Sequence, residues 1–227
     1  MSKKTKTDLG TCYMCDQRAT TREHVPPQCL FPEKKDTPDG TDYRINLVKV
    51  PSCAIHNLSK SADDEYLMAI LVMPIGNNDV AVLHAGSKVL RALVRNNGAL
   101  VKKVLHKIRP VEVDGQPTLA VKIDTPRIYA ELEKIGRALY FKHFGKKWVD
   151  QVFVATASAF SEDPNVNKLA PMLKELDARL FGGLPRYGEN PDVFFYQVTP
   201  QEALPQAAIR MVFYGGFEAV VVKKMDV

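Results

Sequence analysis

The chain has 227 residues, of which 45% are hydrophobic and 25% charged, and a formal net charge of +5. That length can bury a full core, as one large domain or two small ones. Four cysteines, three of them in metal-type spacing, argue against a disulfide framework, and the most apolar stretch, Tyr66 to Ile75, is too short to cross a bilayer.

The first residues, Met1-Ser2-Lys3-Lys4-Thr5-Lys6, are basic but run into Asp8 and Gly10 where a signal peptide needs an apolar segment, so a cytoplasmic protein is expected. The chain to about residue 60 is rich in turns, as in a fold nucleated by a metal. Cys12 and Cys15 are separated by two residues, and so are Cys53 and His56. Each pair suits a tight knuckle or helix start that points both donors at one tetrahedral ion, and zinc is the first expectation. An ion shared between chains, or reduced free thiols, are the alternatives. Between the pairs stand Glu23-His24 and Asn46; Asn57 and Lys60 follow the second pair. Cys29 lacks paired spacing and is expected in a small apolar site beside Leu30 and Phe31.

Asp36 to Asp42 reads as an exposed loop. Tyr43 to Val50 alternates as a strand does, and Pro51-Ser52 ends it. A helix is expected from Ser52 or Cys53 through Asp63-Asp64-Glu65 into Tyr66–Leu71, its second half buried. Helical patterning resumes at about Asp79, with a break at Asn96-Asn97-Gly98. Val111–Val113 and Leu119–Ile123 read as a hairpin around Asp114-Gly115-Gln116-Pro117. Thr125-Pro126 opens another helix, with Thr125 as N-cap and Ile128, Leu132, Ile135 and Leu139 on its buried face. Trp148–Ala157 is predicted as a strand, Asn165–Leu180 as a helix ended by Gly182-Gly183, and Val193–Val198 as a strand. Ile209–Tyr214 and Glu218–Val222 form a closing hairpin. The fold class is α+β with a mainly antiparallel sheet.

Charge is unevenly spread. Residues 67–147 carry fourteen basic and six acidic side chains, whereas residues 148–227 carry seven and ten. Within Lys88 to Arg109 there are seven cations and no acid, including Lys88, Arg91, Arg95 and Lys102. Such a block suits phosphates; the solvated faces of amphipathic helices are the plain alternative.

Taken in order, Cys12-Tyr13-Met14-Cys15, Thr20-Thr21-Arg22-Glu23-His24-Val25-Pro26-Pro27, Asn46-Leu47-Val48 and Cys53-Ala54-Ile55-His56-Asn57-Leu58-Ser59-Lys60 resemble the HNH endonuclease family over about residues 10–65. The resemblance implies a zinc-held, treble-clef-like ββα-metal module over residues 1–66, followed by an α+β region over 67–227 that selects the target or partner. It implies Cys12, Cys15, Cys53 and His56 as ligands of a structural Zn2+, with His56 where many relatives have a fourth cysteine. His24 would be the general base and Asn46 the central asparagine that positions it. Glu23 and Asn57 would help hold a catalytic Mg2+ or Mn2+, Glu23 standing where relatives commonly have aspartate. Lys60 would meet phosphate, alongside Lys88, Arg91, Arg95 and Lys102. The implied reaction is phosphodiester hydrolysis, on DNA rather than RNA, in a protein of bacterial or phage character. A non-catalytic zinc module that binds nucleic acid, and an effector regulated by a partner through its C-terminal region, are the competing readings. A homodimer is compatible with any of them.

Overall fold

The structure is a computed structural model that describes residues 9–58, 61–105, 108–113, 116–156, 175, 178–200 and 207–224. It is a mixed helical and stranded fold whose sheets are antiparallel. Lys60 and most of the helix expected over Asn165–Leu180 lie outside the described residues.

The chain first makes a knuckle, closed by a bridge between Thr11 and Arg18 and by the Cys12 amide donating to the Gln17 carbonyl at 2.9 Å. Strand β1 (Thr21–His24) then pairs antiparallel with β2 (Lys49–Ser52), with Thr21 opposite Ser52 and His24 opposite Lys49. The Tyr13 amide donates to the Pro51 carbonyl at 2.9 Å and so stitches the knuckle to β2. Helix α1 (Ala54–Leu58) follows directly.

The strand expected over Tyr43–Val50 is shorter than its alternation suggests. Residues 43–46 turn, because the Asp42 carboxylate accepts the Arg44 amide at 2.9 Å. The Arg44 guanidinium is also held on the Phe31 carbonyl at 3.0 Å. Asn46 takes a left-handed φ of 53°, a conformation asparagine tolerates better than most residues. Pairing resumes only at Lys49 and runs through Pro51 and Ser52, the residues expected to end the strand.

Helix α2 (Ser61–Leu71) carries Asp63 and Asp64 in its first turn, where acids complement the helix dipole. Its second half, Tyr66 to Leu71, is no more than 5% exposed and joins one core with Cys12, Cys53 and the C-terminal strands. Helix α3 (Asp79–His84), capped by Asn78, passes through a π turn (Ala85–Val89) into α4 (Leu90–Leu105). Gly98 does adopt the left-handed conformation expected there, with φ 70°, but the helix continues past it.

Strands β3 (Ile108–Val113) and β4 (Gln116–Val121) form the predicted hairpin. Helix α5 (Thr125–Phe144) is capped by Asp124, not Thr125: the Asp124 side chain accepts the Arg127 amide at 3.3 Å, and Thr125 and Pro126 fill the first helical positions. Ile128, Leu132, Ile135 and Leu139 are all buried. The remaining strands β5 (Val152–Ala155), β6 (Tyr187–Asn190), β7 (Phe194–Val198), β8 (Ala208–Phe213) and β9 (Phe217–Lys223) form one sheet in the order β5-β9-β8-β7-β6. Helix α5 lies so close to it that a Cβ on Gly136 would sit 2.7 Å from Val221. Among the described residues, no helix is long and apolar enough to cross a membrane.

Candidate metal centre and adjoining cleft

Cys12 and Cys15 come from the knuckle, Cys53 from the residue before α1, and His56 from the middle of α1. One atom of each lies within 4.8 Å of all the others, and no further set of three or more such side chains converges in this way among the described residues. The geometry can be tested against an ion. Zinc bonds of about 2.3 Å to sulfur and about 2.0–2.1 Å to nitrogen at tetrahedral angles require sulfur–sulfur edges of about 3.8 Å and sulfur–nitrogen edges of about 3.5 Å. Cys15 Sγ and Cys53 Sγ are 3.8 Å apart; His56 Nδ1 is 3.5 Å from Cys12 Sγ, 3.5 Å from Cys15 Sγ and 3.2 Å from Cys53 Sγ. The cysteines are not disulfide-bonded, and the group could hold a metal ion such as zinc.

At Cys12 the surroundings favour thiolate, whereas at Cys15 the Gln17 backbone N–H pulls the thiol down but burial and the neighbouring Cys53 and Cys12 sulfurs leave it raised. Burial pushes the Cys12 thiol up, but backbone N–H groups of Met14, Cys53 and Cys15 together with His56 bring it down to about 6. The Met14 amide is 3.4 Å from Cys12 Sγ. From just beyond the end of α5, Lys147 Nζ donates to the Cys15 carbonyl at 2.8 Å and to Asp16 at 2.7 Å, holding the knuckle from outside.

Beside this group opens a cleft of about 280 Å³. It is lined by Glu23 and His24 of β1, Pro27, Gln28 and Cys29 of the following turn, Asn57 of α1, and Asp64 and Glu65 of α2. His24, the last residue of β1, is held toward its neutral form by burial and by Lys49 on the paired strand. Asn57 donates Nδ2 to Thr21 Oγ1 at 2.7 Å, which leaves its amide oxygen as the donor atom for a cation. Glu23 is buried and engaged by the Tyr13 phenol, whose ionisation burial and that carboxylate oppose.

The structure thus brings together His24, Asn57 and Glu23, but Asn46 lies exposed on the turn before β2 and does not line the cleft. Nor is the basic block a free row of cations. Lys88 is half-buried 3.5 Å from Glu33, Arg91 binds Asp36 through two bonds of 2.9 and 2.6 Å, and Arg95 stands 3.6 Å from Glu65. Lys102 is exposed.

Asp64 and Glu65 were not singled out from the sequence. Their spacing of seven and eight residues from Asn57 puts them on its helical face if the helix is continuous, which was the available signal. Cys29 also lines the cleft, its thiol on the Asp64 carbonyl at 3.5 Å and pushed up to about 12, chiefly by burial. No protein-family model, curated protein or solved structure matches this chain.

Proposed function

We propose that the protein is a metal-dependent endonuclease of the HNH type that hydrolyses phosphodiester bonds, with DNA as its substrate. The observation that carries this reading is the meeting of His24, from the end of β1, and Asn57, from α1, in one cleft beside the Cys12, Cys15, Cys53 and His56 group.

In this reading the Cys/His group holds zinc and fixes the knuckle against α1, so that the cleft walls keep their spacing. The hard oxygen donors for a divalent ion are the Asn57 amide and the carboxylates of Glu23, Asp64 and Glu65. They do not converge as the Cys/His set does, which suits Mg2+, an ion bound by one or two protein groups with water and phosphate completing its shell. When bound, such an ion neutralises charge on the phosphate oxygens. His24, kept neutral, accepts the proton of the attacking water. Because Asn46 stands outside the cleft, the imidazole is oriented by the β1–β2 pairing and its burial.

The test is plasmid nicking by zinc-loaded protein with Mg2+ or Mn2+. Wild type should nick, EDTA should abolish it, and a folded, zinc-containing His24→Ala should lose at least about 100-fold, the usual lower contribution of a general base. Equal nicking by the variant overturns the assignment. The engagement of Glu23 by Tyr13 favours a second reading, a non-catalytic zinc module that binds nucleic acid. Salt-sensitive DNA binding without any cleavage would establish it.

A further inference from the structure

The helix running from α3 through the π turn into α4 carries an apolar line on its outer surface. Val82 is 68% exposed, Leu90 51% and Val94 63%. Gly86, between the first two, is also exposed, and a Cβ there would meet nothing within 4 Å. Steps of four residues drift around an ordinary α-helix. The π turn at Ala85–Val89 holds more residues per turn and cancels part of that drift, so Val82, Gly86, Leu90 and Val94 stay on one line.

We infer that this line is where a second copy of the chain docks, as an antiparallel helix pair about a two-fold axis. The line is self-complementary under that operation. With the axis near residue 88, the Leu90 side chain of one copy fills the hollow at Gly86 of the other, and the reverse, while Val82 faces Val94 at both ends. A two-fold interface must use the same patch twice in this manner. The charges agree as well. Exposed Asp79 lies at one end of the line and Arg95 at the other, 59% exposed although 3.6 Å from Glu65 of its own chain, so the antiparallel arrangement sets acid against base in both halves, whereas a parallel one sets like against like. A single helix pair is small among stable interfaces, so a weak, concentration-dependent association is expected. The inference does not depend on the nuclease reading.

Sedimentation velocity of the full chain from about 1 to 200 μM tests it. Wild type should pass from monomer to dimer across that range. Gly86→Leu puts a side chain into open space on a helix and should leave the fold intact, yet it sets knob against knob and should weaken association at least about tenfold. Asp79→Lys and Arg95→Asp should each weaken it, and the double variant should recover it. Wild type that stays monomeric at 200 μM overturns the inference and leaves the face to some other partner or to none. A dimer that Gly86→Leu leaves unchanged overturns it too, since another face then makes the contact.

Discussion

Asn57 donates to Thr21 Oγ1 at 2.7 Å, and Thr21 in turn donates to the Ser52 carbonyl at 3.2 Å, so one hydroxyl ties α1 to both strands beneath it. Thr21→Val keeps the shape and removes both bonds. It should cost about 1–2 kcal/mol, since a polar group loses its partner in a partly buried place, and should release the Asn57 amide to turn. The thermal unfolding temperature should fall, as should the nicking proposed for this protein, and Thr21→Ser should restore both.

Metal content gives a sharper separation among the cysteines. If the Cys/His group holds zinc as proposed, Cys53→Ser should lose the equivalent that wild type retains on purification, together with roughly 10 °C or more of thermal stability, because metal affinity at such a site is folding free energy. Cys29→Ser should keep the metal, since its thiol faces Asp64 and not the Cys12–His56 group.

Lys147 touches no predicted ligand atom but holds the Cys15 carbonyl and Asp16. Lys147→Met should weaken metal retention by about 10-fold, at the low end of effects seen for groups that orient ligands. Competition with a chromophoric chelator reads this directly, and an affinity equal to wild type would show that the knuckle needs no external support.

His84 should give the protein an acid-side stability slope. Its ring is fully buried, bonded through Nδ1 to the Tyr214 hydroxyl at 2.8 Å, and Tyr214 donates to the Leu30 carbonyl. Burial, then Lys88 and Arg44, hold it down to about 4 against the influence of Asp36 and Glu33. Below pH 6.5 the unfolded chain takes up a proton that the folded one refuses. The contribution is therefore complete above pH 6.5 and is lost as the pH falls to about 4, by on the order of 3 kcal/mol. Denaturant titrations at pH 7 and pH 4 should show that much more loss for wild type than for His84→Gln.

The sequence disclosed the metal-type group more fully than the rest of the site because paired spacing restricts where four donors can go. It also disclosed the core face of α5, since Ile128, Leu132, Ile135 and Leu139 repeat at helical period. It misled where local pattern met tertiary contact. Tyr43–Val50 alternates, yet Asp42 and Arg44 fold its first half into a turn and leave Asn46 in solvent. The cations Lys88, Arg91 and Arg95 were legible as a block, but their acids, Glu33, Asp36 and Glu65, lie 30 to 55 residues earlier in the chain, and only the fold joins them. Strand β6, with Gly188 and no apolar alternation, carried no signal.

Helix α5 grips the first third of the chain at both ends. Near its start, Arg127 binds Asp63 at 2.6 Å and lies over the Tyr66 ring at 4.4 Å; just past its end, Lys147 clasps the knuckle. Its 20 residues span about 30 Å, and its middle packs on β9 at Gly136, where a Cβ would crowd Val221. The helix acts as a gauge block for the cleft. Removing one residue between Arg127 and Gly136 would turn one clasp by about 100° and draw it in by about 1.5 Å, so the span of this helix is as much a specification of the site as any residue inside it.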